Sequence, residues 1–213
     1  MATGSRRDRH VFINVPFDRR YERLYIALIA GLAGLGLIPR SVLQIPASRL
    51  RLDRLFDLLQ ECGSSIHDFS RVQLDRRAPR TPRFNMPFEA GLAHALALLA
   101  QRGAPRASHP PHAAFVFEAR EFRLQKSCSD LNGADPCVHN ETVVGMLRAV
   151  TKAFQRQGSQ RTVPELLRVY RKLGRFAARL KRTERAQDLY DGVLFNKLAY
   201  AAQAIAKREL QSP

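Results

Sequence analysis

Two carboxylates in this chain are placed by type and spacing to do chemistry. Glu89 stands in Arg83–Leu96 (RFNMPFEAGLAHAL), near the expected start of a helix, and Asp68 stands in Ile66–Arg71 (IHDFSR), at the expected end of a strand. Two carboxylates at one sheet edge can divide the acid and the nucleophile or stabiliser roles that glycosidic cleavage demands. The small residues Ala90, Gly91 and Ala93 after Glu89 leave room for a ligand or a neighbouring backbone. Each carboxylate also has a plainer reading. A Glu in the opening turn of a helix gains about 0.3–1 kcal/mol from the helix dipole and resembles half of a capping box. An Asp just after a strand often caps the next turn, and Asp18, behind Pro16 and Phe17, has the pattern of a helix N-cap. His67 alternates into the core, opposite in facing to Asp68, and His94 reads as a packed histidine.

The elements that must position these residues follow from periodicity. His10–Val15 is an apolar, β-rich first strand that ends at Pro16. Leu24, Leu28, Leu32 and Leu35 recur at helical spacing over Tyr21–Leu35, and Gly36 supplies the left-handed cap. Leu37–Leu43 follows as a second strand, with Pro39 near its start. Leu52, Leu55, Phe56 and Leu59 mark a helix over Arg49–Glu61. Ser64–Phe69 is the third strand, Arg71–Pro82 a loop, and Pro87 opens a helix that runs to about Gln101. Gly103–Pro111 is a linker, and Ala113–Glu118 is the fourth strand. Such alternation predicts a parallel sheet with helices on both faces. Right-handed crossovers then bring the loops after the strands to one edge. The polar stretch Leu124–Asn140 reads as a long loop in which Asp130, Asn132 and Asp135 could reach over the site; a plain surface excursion is the other reading. Helices are expected over Val143–Phe154, Val163–Leu180 and Asp188–Leu210.

The chain has 213 residues and a net charge of +16. That length divides into a disordered basic leader (1–9), an α/β domain (10–157) and a C-terminal helical extension packed on it (158–213). No apolar run reaches the roughly 18–20 residues of a membrane span, and the polar N-terminus is not a secretory signal. Cys62, Cys128 and Cys137 are odd in number and contain no CxxC pair, which predicts unbridged thiols, no metal site and a cytoplasmic location. The basic balance fits anionic partners. Over Val163–Leu180 an apolar stripe lies beside a second stripe of Arg168, Arg171, Lys172, Arg175, Arg179 and Arg182. That second stripe is either a solvated face or a contact for an acidic protein or nucleic acid. A homo-oligomer is also open.

Three segments together, Val11–Tyr21 (VFINVPFDRRY), IHDFSR and NMPFEAGLAHAL, resemble a bacterial group similar to nucleoside 2-deoxyribosyltransferases and, more distantly, TIR domains. Leu124–Asn140 is similar to a string that recurs in the same group, so the likeness runs from His10 to about Tyr200. It implies a flavodoxin-like three-layer fold with a parallel sheet and a C-terminal helical extension. It also implies a nucleoside, nucleotide or NAD ligand. Glu89 would attack the anomeric carbon, Asp68 would hold the sugar hydroxyls, and NAD would be a substrate with no cofactor required. The expected ligand contacts are Asn14, Pro16, Phe17, Asp18, Arg40, Ser70, Arg71, Asn85 and Met86. Asn85-Met86-Pro87 departs from the deoxyribosyltransferase pattern, where a Gly-Thr precedes the Glu helix. A nucleotide-sensing module without turnover, in an antiviral or stress response, and a basic nucleic-acid-binding protein are the alternative functions.

Overall fold

The computed structural model describes residues 6–45, 51–72, 84–102, 112–128, 131, 135–155 and 161–211. Five strands form one sheet: β1 (His10–Asn14), β2 (Ile38–Arg40), β3 (Ser64–Asp68), β4 (Ala113–Glu118) and β5 (Cys137–Val138). Every pairing is parallel and the order is β2-β1-β3-β4-β5. This is the doubly wound, flavodoxin-like arrangement, in which the order reverses between β1 and β3 and opens a crevice beyond the strand ends.

Alternation along the strands builds the layers. Val11, Ile13, Ile66 and Phe117 face α1 (Glu22–Gly34) and α5 (Val143–Phe154), whereas Phe12 and Ala114 face α2 (Arg51–Gln60) and α3 (Asn85–Gln101). Helix α1 is buried over nearly its whole circumference, as a helix apolar on all sides must be. The sheet covers one side of it, and α6 (Val163–Thr183) and α7 (Gly192–Gln211) cover the other within the same apolar cluster. Gly36, at φ 77°, ends α1 in the left-handed conformation expected of it.

Several expectations need correction. The second strand is only three residues long, and Val42–Gln44 forms a 3-10 turn instead. Pro39 sits in its middle, which is tolerated because β2 is an edge strand. Leu124–Asn140 is not one loop, for it contains a helical turn, α4 (Leu124–Ser127), and the fifth strand. Asp130 and Asn132 lie outside the described residues, as do 1–5 of the expected leader. Arg6–Arg9, however, is a 3-10 helix held to the body, where Gly63 N donates to Arg7 O at 2.9 Å. The cysteines are free thiols. Among the described residues, no helix is long and apolar enough to cross a membrane.

Candidate functional site

The C-terminal ends of β1, β3, β4 and β5 gather polar residues that a sheet interior would exclude. Asp68, the last residue of β3, is fully buried and points to the α1 side. The Tyr21 hydroxyl donates to its Oδ2, and Ser70 N donates to its Oδ1 at 2.9 Å. His139 Nε2 lies 3.2 Å from Oδ2, off the line of a straight hydrogen bond. The tautomer of that imidazole follows from its other side. Glu141 N donates to His139 Nδ1 at 3.1 Å, so in the neutral ring the proton sits on Nε2, facing the carboxylate. Burial alone would raise the Asp68 pKa, but His139, the Ser70 N–H and the Tyr21 hydroxyl outweigh it and hold the carboxyl below its ordinary value. Burial, and then the Asp68 charge, push the Tyr21 hydroxyl well above its usual range.

The backbone around His139 is tightly specified. Asn140 and Glu141 both adopt φ 51°, an uncommon conformation for residues with a Cβ. A Cβ on Gly145 would lie 2.0 Å from His139 O, so only glycine lets the start of α5 approach this loop. Arg71 Nη2 pairs with Glu141 Oε1 at 2.7 Å, and Arg71 Nε lies 3.8 Å from Asp18 Oδ2. The loops after β1, β3 and β5 are thus joined by charge. Asp18 Oδ1 also accepts from Arg20 N at 2.9 Å and Tyr21 N at 3.0 Å, so it closes the turn before α1 rather than capping the helix itself, whose N-cap is Tyr21.

The α3 side of the same edge is built differently. Asn14 Nδ2 donates to Met86 O at 3.1 Å and to His67 Nδ1 at 3.2 Å, fixing the start of α3 to the end of β1. An amide nitrogen only donates, so His67 Nε2 carries the proton and donates to Ser65 Oγ at 2.9 Å. The Ser65 hydroxyl then donates to His112 Nε2 at 2.9 Å, and His112 Nδ1 donates to Cys62 O at 3.0 Å. One buried relay, with every donor pointing the same way, runs from Asn14 across the sheet to Cys62. Burial pushes His67 down to about 3 and lowers His112 as well, the direction that favours the neutral rings the relay requires.

Glu89 is buried, at 8% exposure, in the second turn of α3, because the helix begins at Asn85 rather than at Pro87. The dipole contribution expected of an opening-turn carboxylate therefore shrinks, since it fades within the first turn. Ala90 and Ala93 do not make room for a ligand. They are fully buried against Phe69 and Val116 and against Phe12 and Leu59, while Gly91 faces outward. Their small size lets α3 lie close on the sheet.

The structure brings Asn14, Pro16, Phe17, Asp18, Ser70, Arg71 and Met86 to this edge, with Asn85 exposed at the helix start. Ser70 Oγ is buried without a hydrogen-bond partner. Arg40 is not part of the edge: its guanidinium meets Gln44 at 2.9 Å, Glu61 at 3.2 Å and His10 at 3.3 Å. Asp68 and Glu89 approach the end of β3 from opposite faces, and Asp68 has no exposed surface. Contact between Asp68 and a ligand would require Tyr21 or His139 to move. His67 is buried as expected, and His94 Nδ1 bonds Ala90 O at 2.9 Å.

Sequence reasoning missed Tyr21, His139 and Glu118. Glu118 ends β4 at 1% exposure, its Oε1 accepting from Ala119 N at 2.6 Å and lying 3.6 Å from Arg123 Nη1. Burial raises its pKa against the opposing pull of the Ala119 N–H and Arg123. The position of Glu118 at the end of an apolar strand was the available signal. Comparison of the chain with protein-family models, with curated proteins and with solved structures finds no match to any of them.

Proposed function

We propose that the protein cleaves or transfers at the N-glycosidic bond of a nucleoside, a nucleotide or NAD, with Glu89 as the reacting carboxylate. The observation that carries this reading is the position of Glu89: a buried carboxylate in the second turn of the helix after β3, beside the β1/β3 reversal of a flavodoxin-like sheet. Ligands of such sheets bind in the crevice beyond the strand ends at that reversal. A carboxylate there can stabilise the oxocarbenium ion or form the covalent bond to C1′. The C1′–N bond breaks with its electron pair leaving on the base. Water then supplies hydroxide to C1′ and frees the carboxylate, and its proton goes to the base or, for a leaving nicotinamide, to solvent. In a transfer reaction a second base takes the place of water.

Asp68 acts in this scheme as a positioning residue, since it holds Tyr21, the Ser70 turn and His139. The unpartnered Ser70 hydroxyl is a candidate contact for a ribose hydroxyl. The sealed state of Asp68 favours a second reading, a sensor that binds the same ligands without turnover. Incubation with NAD, nucleosides and nucleotides, followed by chromatography of released bases and calorimetry of binding, separates the two. Free base from any one of them supports the enzyme. Binding without release makes the protein a sensor, and neither result in any arm removes the nucleotide site.

A further inference from the structure

The outer face of α6 carries Arg168, Arg171, Lys172, Arg175, Arg179 and Arg182, all exposed. Between Glu165 and Glu184 the sequence holds no acidic residue. At 1.5 Å per residue the row is about 20 Å long. Helix α7 forms the other wall of a groove of about 410 Å³ beside it. Phe176, Ala201, Ala204 and Ile205 floor this groove, and Lys172, Arg175, Arg179, Arg182 and Arg208 rim it. Of the acids near this groove, Glu209 pairs with Lys172, and Glu184 pairs with Lys197 on α7. Arg182 also lines a second cavity, of about 630 Å³, with Lys181, Arg185 and Glu22. Beyond it the α6–α7 connection meets the β1–α1 loop, where Tyr190 donates to Asp18 O at 2.7 Å. The row therefore leads from the outer helices toward the sheet edge that holds the candidate site.

We propose that this row and groove bind the sugar–phosphate backbone of a nucleic acid. Arginine dominates the row, and its planar fork matches phosphate oxygens in pairs. The row is far longer than one small anion, and Arg168, Lys172, Arg175, Arg179 and Arg182 recur every three or four residues along one face, with Arg171 beside them, as suits a polymer with evenly spaced phosphates. An acidic protein is the weaker fit. Protein interfaces centre on apolar anchors and are depleted of charge there, whereas the row on α6 has no exposed large hydrophobic side chain among the described residues and the apolar floor of the groove is ringed by five cations.

Binding of the full-length protein to single-stranded DNA, duplex DNA and RNA, each long enough to span the row, is measured against salt concentration. At least one arm is expected to bind at low salt, with a log–log salt slope of about −3 to −5, as several phosphate contacts give. R175Q/R179Q should weaken that binding tenfold or more and flatten the slope by about 2. R102Q/R148Q removes the same charge from exposed positions at the end of α3 and on α5 and should change affinity less than twofold. The arm that binds identifies the nucleic acid. The proposal is overturned if no arm binds at low salt, or if the control pair weakens binding as much as the row variant. It is also overturned if polyglutamate of equal charge displaces the nucleic acid as well as the nucleic acid itself does, which would point to an acidic protein. None of these readouts depends on turnover at Glu89.

Discussion

His67 shows how one buried side chain sets a measurable property of the protein. Its imidazole is neutral in the relay and takes a proton only near pH 3, whereas in the unfolded chain it titrates near 6.5. Between those values the unfolded state binds more protons, so stability is full above pH 6.5 and falls as pH drops toward 3. The slope from this residue reaches about 1.4 kcal/mol per pH unit. The depressed Asp68 carboxyl acts in the same direction, its contribution being lost as pH falls through the carboxylate range. Urea denaturation at pH 7 and pH 5 should show a clear loss at the lower pH, and an imidazole nitrogen NMR spectrum should show His67 uncharged at both. A charged His67 at pH 5 would break the relay as drawn. The residue types of this site were partly visible in the sequence. Glu89, Asp68 and Asn14 stand out as polar residues at element ends. Tyr21 did not, because a tyrosine at a helix start reads as core, and its partner Asp68 lies 47 positions away.

At the scale of elements, alternation and leucine spacing were strong enough to place β1, β3, β4, α1, α5 and α6. The second and fifth strands were misread for a physical reason: at three and two residues they are too short to display a period of two. His139 was lost with β5, for its role depends on that strand ending beside β4, where His139 N donates to Glu118 O at 3.0 Å. The junction between β5 and α5 carries its own prediction. Gly145→Ala places a methyl group against His139 O, so the helix start must shift, at a cost of about 1–3 kcal/mol for overpacking. A chemical-denaturation midpoint unchanged from wild type would mean that α5 does not lock the His139 loop.

The whole molecule is less divisible than the sequence suggests. Charge and spacing make 158–213 look like an addition to a complete α/β domain, yet Leu166, Val169, Leu173, Phe195 and Leu198 belong to the same core cluster as Leu24, Leu28 and Leu32. Helix α1 is apolar on both sides because the sheet and α6–α7 both cover it. Chain ending at residue 157 is therefore expected to lose its cooperative melting transition and to bind hydrophobic dyes, since it would expose the outer side of α1. A truncated protein that melts as sharply as the full chain would show the helices to be an appendage.

Whether Glu89 reacts or merely packs is measured directly by base release from Glu89→Gln beside wild type on a substrate that wild type cleaves. The amide keeps the size of the side chain and removes the charge that attacks or stabilises C1′. The helix dipole adds little at its second-turn position, so the melting temperature should stay within a few degrees of wild type while release falls by about a thousandfold or more. Wild-type turnover by a folded Glu89→Gln would contradict the account.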